Sequence, residues 1–516
     1  MDSRIRLWVA LGTVLLAACG GAGSSYQSAP SRLQHEERTA AHPVTQSNAA
    51  IATVQVAVAS PGPTIPPDFA GMSIEVDDAT QKYLGVDGAP NTVYEQFLRN
   101  LGSSVIRIGG NSTDYSCWNP NSAPYPQGCL FTITQGALTG YLRASADTHW
   151  SVTLGVNLAQ NSASWTLPYG VAAANTAASV PGSSLIGFEF GNEPDRYPTQ
   201  FLFNNHPYRP KGYSWQNLVS DWSPYVTAFK GTGQTAPIGL AGPVYDETPP
   251  WRDSYLQPFA QGIGVSNLGI LTVHDYPTSV CGGKTVTIAD LLSPSVISAY
   301  TAQAAGWIQV AAQLGLPLEL GETNSASCHG QNGVSNVFAS TVWGLDWLFA
   351  NAQVGMRHVY FHNNGQAYYD PVVARRSGQS VYHDFVQPLY YAIYAFSTAA
   401  ESNAILPTTV SSNANITAYS VRDGAGDTRV FIINKDLQAS GKVTVQPSSP
   451  MGTASLLRIA APTLGSKSVS FGGTYFDNTT GNLHGTPKMT TIATDAQGNY
   501  QIFLGRAAID VLTISP

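Results

Sequence analysis

Short apolar runs alternate with amphipathic stretches over most of the chain. Eight runs have the length of buried β-strands, at 69–74, 105–108, 151–156, 186–190, 238–241, 270–274, 316–320 and 358–361. Helical periodicity lies between several of them, at 93–101, 215–230, 294–314 and 337–352. Eight strands with crossover helices predict an α/β fold, a (β/α)8 TIM barrel, whose active site lies at the carboxyl ends of the strands. An open doubly wound sheet is the alternative, but no Gly-rich phosphate loop opens a helix.

The pattern changes after about residue 400. Runs at 414–421, 428–433 and 442–445 alternate apolar and polar residues between Asp, Gly and Asn turns, which predicts a C-terminal antiparallel β-sandwich. An isolated alternating run at 51–59 has no place in the barrel, and we predict that it pairs with this C-terminal sheet. The predicted organisation is a signal peptide at 1–19, a flexible tether at 20–50, an N-terminal strand segment at 51–66, the barrel at 67–400 and the β-sandwich at 401–516.

The amino terminus has the layout of an export signal. Arg4 and Arg6 precede an apolar stretch at 7–18 that is too short to span a bilayer. It ends in Leu-Ala-Ala-Cys, which resembles the lipobox of bacterial lipoproteins, in which the cysteine, here Cys19, carries the lipid. We therefore expect an exported bacterial cell-envelope lipoprotein on the periplasmic or cell-surface face of a membrane, with the lipid anchor as its only membrane contact. Ordinary secretion with cleavage nearby is the alternative.

Composition narrows the class of partner. Charged residues make up only 11% of the 516 residues, and the formal net charge is −7. This balance argues against a general affinity for nucleic acid or anionic membranes, and no run of Lys or Arg offers a site for a highly sulfated polyanion. The 10 Trp and 25 Tyr residues suit the binding of neutral polar ligands, and they equally suit the filling of a β-rich core. We expect a monomer.

The chain has five cysteines, an odd number. If Cys19 is lipidated, four remain in an oxidising compartment. Cys117 and Cys129 flank a loop rich in Pro, Asn and Gly and are candidates for one bridge. Cys281 and Cys328 each follow a predicted barrel strand by a few residues, so they would be neighbours on the rim and are candidates for a second. Free thiols are the alternative.

Two glutamates stand at the ends of two apolar runs. Glu193 lies in Asn192-Glu193-Pro194 after the fourth predicted strand, and Glu322 follows the seventh. Because the carboxyl ends of barrel strands meet at one face, we expect the two carboxylates to lie together. Such a pair suits glycoside hydrolysis, with one acid and one nucleophile or base. No His/Cys/Asp cluster has the spacing of metal ligands, and this chemistry requires neither metal nor cofactor.

Other polar residues occur at or inside the same strands. Arg107, inside the second strand, must find a partner, so it either orients a carboxylate or forms a structural ion pair. The eighth strand ends in His362-Asn363-Asn364. Glu189 and Glu319 lie inside strands four and seven, and we expect them to pair with cations or polar groups of the barrel.

The segments around both strand-end glutamates resemble the two catalytic segments of glycoside hydrolase family 79. They read Phe-Glu-Phe-Gly-Asn-Glu-Pro at 188–194 and Leu-Gly-Glu-Thr-Asn-Ser at 320–325, and residues 339–361 resemble the helix and eighth strand of heparanases. That family contains retaining β-glucuronidases and heparanases. The resemblance therefore implies that Glu193 is the acid/base and Glu322 the nucleophile, with carboxyl groups about 5–5.5 Å apart. The charge on the nucleophile is expected to favour the protonated acid.

The resemblance also implies roles for neighbouring residues. Asn192 would hydrogen-bond the sugar 2-hydroxyl, and Tyr276 would hold Glu322 in place and ionised. His274 matches a family position near the same site. Asp114 matches a substrate-contacting acid on the loop after the second strand.

A glucuronide needs its carboxylate recognised, and the candidates are Tyr368, Asn324 and backbone amides at 325–330. Arg375 and Arg376 lie close to the strand-eight loop in sequence. Scarce cations and the acidic balance favour exo-cleavage of terminal β-linked glucuronic acid. Endo-cleavage of heparan-sulfate-type polymers is the first alternative, a retaining hydrolase for xylan or arabinan is another, and a non-catalytic glycan-binding lipoprotein is a third. Each reading makes a carbohydrate the partner.

Overall fold

Eight parallel strands close into a barrel in the computed structural model, which describes residues 49–121, 129–202, 206–246, 251, 255–377 and 381–516. Barrel strands 1 to 8 are Ala70–Glu75, Val105–Gly109, Ser151–Val156, Leu185–Phe190, Gly239–Tyr245, Ile270–His274, Leu318–Thr323 and His358–Asn363. Each strand pairs in parallel with the next one in sequence, and strand 8 pairs with strand 1. The predicted barrel is confirmed.

One main helix follows each barrel strand. In order, these helices are Thr92–Asn100, Gln135–Thr148, Ala163–Ser179, Trp215–Gly231, Leu256–Ile263, Pro294–Leu314, Phe338–Val354 and Pro388–Ala399. Asn91 and Thr134 accept hydrogen bonds from backbone N–H groups of their helices and so set two of the starts. The sixth helix begins with a proline and is followed by the left-handed Gly315, which is why its bounds were predictable. The second, third, fifth and eighth helices were not predicted. The third is rich in Ala and has no clear apolar stripe, and the fifth has only eight residues.

Short elements lie between the main ones. The helical ones are Val76–Asp78, Ile288–Leu291, a π-helical turn at Ala79–Tyr83, and 3-10 turns at Asn111–Tyr115, Pro194–Arg196, Val265–Asn267 and Cys281–Gly283. The paired short strands are Gly85–Val86 with Ala89–Pro90, Ser116–Trp118 with Phe131–Ile133, Phe201–Leu202 with His206–Pro207, Val372–Ser377 with Val381–Val386, and Tyr475–Phe476 with Leu483–His484.

Two further sheets form the C-terminal β-domain. The first has the strand order Thr408–Ser412, Ala50–Val56, Gly441–Pro447 and Tyr500–Leu504. The second contains Ala404–Leu406, Ile416–Arg422, Thr428–Asn434, Ala508–Ile514, Ala454–Ala460, Ser470–Phe471 and Met489–Ile492. Val54 and Val443 of the first sheet share one cluster of buried apolar side chains with Ile432 and Leu512 of the second.

The amino-terminal strand lies inside the four-stranded sheet. Ala50–Val56 pairs with Thr408–Ser412 in antiparallel orientation and with Gly441–Pro447 in parallel orientation. The wholly antiparallel arrangement predicted for the C-terminal domain is therefore wrong at this pair. A strand that comes from the other end of the chain is not tied to its neighbour by a hairpin, so nothing forces the antiparallel direction.

The seven-stranded sheet packs on barrel helix Phe338–Val354. Phe349 of that helix stacks on Tyr419 of the sheet, with ring centroids 4.7 Å apart. Asp346, which is 1% exposed, accepts a hydrogen bond from the Tyr419 hydroxyl at 2.7 Å and pairs with the Lys435 ammonium at 2.7 Å. A buried pair of this kind is costly to break, because the remaining charge stays buried and unpaired.

Two disulfide bridges tie loops of the barrel. Cys117 pairs with Cys129 and Cys281 with Cys328, with Cα atoms 5.8 and 5.3 Å apart respectively. The second bridge joins the loops after strands 6 and 7. The predicted signal peptide, with Cys19, lies outside the described residues, so lipidation and export stay predictions. Over the part of the chain that the structure covers, no helix combines the length and apolar character needed to cross a membrane.

Removing the Asp346 carboxylate should destabilise the contact between the barrel and the β-domain. In Asp346→Ala the Lys435 ammonium stays buried without its partner, so we expect the free energy of unfolding to fall by about 3–5 kcal/mol. Denaturant unfolding measures the change, with Asp147→Asn, at an exposed carboxylate, as the matched control. A wild-type free energy of unfolding in Asp346→Ala would contradict this role of the pair.

Candidate active site

The two strand-end carboxylates meet at the carboxyl-terminal face of the barrel. Glu193 lies three residues after the end of strand 4. Glu322 lies near the end of strand 7, in register with His274 of strand 6. One ligand atom of each of these three side chains lies within 4.8 Å of those of the other two. Carboxyl groups this close fit retaining glycoside hydrolysis, whereas inverting enzymes separate them by about 6.5–9.5 Å to admit a water.

A strained turn directs Glu193 into this cluster. Glu193 has a φ of 46° and Val244, in strand 5, has a φ of 62°, both in the left-handed region that non-glycine residues rarely adopt. The Glu193 N–H donates to the Val244 carbonyl at 2.8 Å. Oδ2 of Asp114 accepts from the Asn192 N–H at 3.0 Å and from the Tyr197 hydroxyl at 2.7 Å. The surroundings thus hold the turn in its strained conformation.

Arg107 donates hydrogen bonds to four polar groups, one of which is the Glu322 carboxylate. Its guanidinium is fully buried and donates through Nε to Glu189 at 2.7 Å. Nη1 donates to Oε2 of Glu322 and to Oγ of Ser73, both at 2.9 Å, and Nη2 donates to Oδ1 of Asn192 at 2.8 Å. Arg107 therefore does both things that the sequence left open: it orients a carboxylate and it forms a structural ion pair.

Glu322 is surrounded by groups that favour its charged form. The Tyr276 hydroxyl donates to Oε1 at 2.7 Å, as the resemblance implied, and Nδ1 of His362 lies 3.5 Å from Oε2. Burial alone would raise the pKa of Glu322, but His362, His274 and Arg107, with the Tyr276 hydrogen bond, outweigh burial and lower that pKa to about 2. The side chain is therefore ionised near neutral pH, as a carboxylate nucleophile must be.

His362 and Glu75 complete the charge balance. Nε2 of His362 lies 3.5 Å from Glu75, whose oxygens also accept from the N–H groups of Asn111 at 3.1 Å and Ser112 at 2.8 Å. Burial would lower the pKa of His362, but Glu322 and Glu75 raise it to about 9. Sequence reasoning named His362 only as a strand-end residue and missed Glu75. The signal was present, because Glu75 directly follows the apolar run that predicted strand 1.

His274 lies close to both carboxylates. Its side chain is fully buried, and Nδ1 lies 3.1 Å from Oε1 of Glu193 and 3.9 Å from Oε2 of Glu322. His274 therefore lies at the site formed by the two carboxylates, near which the resemblance placed it. Nδ1 is within hydrogen-bond distance of Glu193, whereas Glu322 lies beyond it.

Asp114 and Asn324 do not fit the predicted substrate contacts. Asp114 is 1% exposed, and its Oδ1 accepts from two backbone N–H groups, those of residues 158 and 159, at 3.0 and 3.1 Å. Asn324 is fully buried, donates to the His362 carbonyl at 3.0 Å and accepts from the Ser325 N–H at 2.8 Å. Their polar atoms bind the protein itself, so both residues shape the loops that carry the site.

Tyr369 borders the site. Its ring centroid lies 6.2 Å from that of Tyr276 and 6.2 Å from that of His362. Tyr368 is half-buried, and its backbone N–H donates to the His329 carbonyl at 2.8 Å. This hydrogen bond joins the loops after strands 7 and 8.

Glu189 and Glu319 lie below the site and are paired, as expected. Glu189 binds Arg107, and Oε2 of Glu319 accepts from the Tyr360 hydroxyl at 2.8 Å and lies 3.1 Å from Nδ1 of His358. Neither carboxylate is therefore part of the cluster formed by Glu193 and Glu322.

A metal site is not assigned. Within the described ranges, the set of Glu193, His274 and Glu322 is compact enough to hold a cation together, which the sequence had given no reason to expect. However, Arg107 and Tyr276 already donate to the two oxygens of Glu322. A guanidinium in that position repels a second cation, so the donor set does not favour a metal.

Comparison with known proteins gives a consistent fold. No protein-family model matches the chain. In sequence it is similar to a β-glucuronidase of Neurospora crassa, with 25% identity over 426 residues, 74% of this chain and 75% of the relative. A solved 4-O-α-L-rhamnosyl-β-D-glucuronidase from Fusarium oxysporum 12S has a TM-score of 0.70 at 20% identity, covering 89% of this chain and 100% of that one. A family 51 α-L-arabinofuranosidase from Bifidobacterium longum has a TM-score of 0.66 at 14% identity, covering 90% and 99%. The chain therefore has the fold of these barrel glycoside hydrolases.

The raised pKa of His362 makes the stability of the fold depend on pH. The folded-state pKa, about 9, lies above the ordinary value of 6.5, so the stabilisation is fully present below about pH 6.5 and is lost as the pH rises through about 9. A shift of this size corresponds to on the order of 3 kcal/mol. Denaturant unfolding on either side of this window should show the loss in the wild type and a smaller one in His362→Gln. The same pH dependence in both proteins would contradict the assignment.

Proposed function

We propose that this protein is a retaining glycoside hydrolase that removes β-linked glucuronic acid from glycans or glucuronides, of the type found in glycoside hydrolase family 79. The observation that carries the proposal is the pair of Glu193 and Glu322, with carboxylate atoms within 4.8 Å and Glu322 held in its charged form. Similarity to a β-glucuronidase, and a fold shared with a rhamnosyl-glucuronidase, support the choice of sugar.

The proposed reaction has two steps. In the first, an oxygen of Glu322 bonds to the anomeric carbon while Glu193 gives its proton to the departing glycosidic oxygen. In the second, Glu193 takes a proton from a water whose oxygen attacks the same carbon, and the bond to Glu322 breaks. The resemblance assigns the sugar 2-hydroxyl to Asn192. Its Oδ1 accepts from Arg107 at 2.8 Å and its Nδ2 donates to Asn111 at 3.2 Å, so the proposed contact requires Nδ2 to exchange Asn111 for the sugar. Tyr276 keeps the nucleophile oriented throughout.

The loop after strand 7 is our candidate for recognition of the sugar carboxylate. Three of the six amides at 325–330 already donate to protein acceptors. The N–H groups of Cys328 and His329 have no acceptor among the described residues, and these residues have positive φ values of 61° and 71°. The bridge to Cys281 holds the loop in this form. Backbone amides in such a conformation suit an anion, and the charged His362 adds attraction.

We propose exo-cleavage of a terminal sugar as the first mode of action. We also propose that the amino-terminal signal exports the protein and that Cys19 carries lipid. An exported enzyme would meet glucuronides and glycans outside the cytoplasm. The heparanase-like stretch at 339–361 keeps endo-cleavage as the second reading.

Removal of either carboxylate should abolish or strongly reduce hydrolysis of p-nitrophenyl β-D-glucuronide by the lipid-free protein. Glu322→Ala lacks the nucleophile, so we expect no measurable turnover. Glu193→Ala lacks the acid, so we expect kcat/KM to fall about 10²–10⁴-fold, and by less for a 2,4-dinitrophenyl leaving group, which needs little protonation. Asp147→Asn serves as the control.

The outcomes separate the alternatives. Proton NMR identifies the anomer of glucuronic acid that the wild-type protein releases first. The β-anomer supports a retaining exo-enzyme, and the α-anomer overturns retention. Shortening of heparan sulfate without release from the aryl substrate indicates endo-cleavage. Turnover of aryl xylosides or arabinofuranosides alone changes the sugar. Glycan binding without any turnover indicates a binding protein.

A further inference from the structure

An ion pair lies on the outer side of Glu193. Nε of Arg196 is 3.3 Å from Oε2 of Glu193, and Nη2 of Arg196 contacts the carboxylate of Asp246. The Arg196 side chain is 43% exposed, whereas those of Glu193 and Asp246 are only 10% and 13% exposed. One guanidinium is thus shared between a mostly buried carboxylate of the site and a second acid outside it.

The backbone holds this arrangement in place. Arg196 ends the 3-10 turn that follows Glu193, and Asp246 directly follows strand 5. The Asp246 N–H donates to Oδ1 of Asp195 at 3.0 Å, and the Glu193 N–H donates to the Val244 carbonyl at 2.8 Å. These two hydrogen bonds connect the ends of strands 4 and 5 on both sides of the ion pair. They therefore fix the positions of both acids relative to the guanidinium.

Titratable groups of strands 6 and 7, and of the loop after strand 6, also surround Glu193. His274 of strand 6 lies 3.1 Å from its other oxygen, Glu322 of strand 7 lies within 4.8 Å, and Tyr276 donates to Glu322. Among the described residues, Arg196 is the one arginine or lysine within ion-pair distance of Glu193, because Arg107 is committed to Glu322 and the interior.

We propose that Arg196 and Asp246 form a counter-ion pair that sets the proton affinity of Glu193. Arg196 favours the carboxylate that acts as base in the second step, and Asp246 shares the guanidinium so that Glu193 still takes up the proton needed in the first step. The inference rests on the proposed function, because it assigns the acid/base role to Glu193. Arg196 and Asp246 are positioning residues, since they act through that carboxylate.

The alkaline limb of the pH profile of kcat/KM tests the proposal, because it reports the deprotonation of the acid in the free enzyme. Arg196→Gln removes a cation, so the limb should move up by about one pH unit. Asp246→Asn releases the guanidinium to Glu193, so the limb should move down. Arg196→Lys keeps the charge and should restore a limb close to that of the wild type. Arg143→Gln, at the exposed pair with Asp87, is the control.

Opposite shifts in Arg196→Gln and Asp246→Asn support the proposal, and they would not arise from a merely structural role, which predicts lower activity with an unmoved limb. An unmoved limb, or shifts in the same direction, would overturn it. If wild-type protein neither turns over an aryl glycoside nor shortens heparan sulfate, the proposed function fails instead. Infrared difference spectroscopy then follows the titration of Glu193 without substrate, using the carboxyl band that is lost in Glu193→Gln.

If Arg196→Gln does not fold, Asp246→Asn and Arg196→Lys still show the direction in which the limb moves.

Discussion

Burial of the Arg107 guanidinium is the constraint on which the mouth of the barrel depends. A charge removed from water is tolerated only where counter-charges and acceptors surround it. Glu189 and Glu322 supply the charge, and Asn192 supplies a further acceptor. These partners come from strands 4 and 7 and from the turn after strand 4. One cation on strand 2 therefore fixes both halves of the site relative to each other.

The same constraint separates the environments of the two candidate catalytic groups. Glu322 lies against Arg107 and close to the charged His362, and the groups around it outweigh its burial. Glu193 meets Arg196 instead, whose guanidinium is shared with a second acid and is half-exposed to solvent. Because their surroundings differ, two carboxyl groups of one site can serve as an acid and as a nucleophile. The division follows from the strand end that each residue occupies.

The sequence was most informative at the strand ends, because a parallel barrel brings every carboxyl end to one face whatever the loops do. It was less informative where a distant loop decides what a side chain meets. Asp114 and Asn324 have the residue type and position of substrate ligands. Each is buried, however, and forms hydrogen bonds with backbone groups of distant loops or strands that the local sequence does not reveal. Glu75 directly follows the first predicted strand, so it carried the same strand-end signal and was overlooked. The parallel pairing of Ala50–Val56 depends equally on a long-range neighbour.

The strained turn after strand 4 explains why so many buried polar groups surround a single carboxylate. Positive φ angles at Glu193 and Val244 cost on the order of 1–3 kcal/mol each and persist only where the surroundings impose them. Asp114 holds the Asn192 N–H, and Arg107 holds the Asn192 side chain from the other side. Because Asn192 is fixed at both backbone and side chain, the direction of the next side chain follows. The placement of Glu193 thus depends on Asp114 and Arg107, which hold the residue before it and are themselves buried.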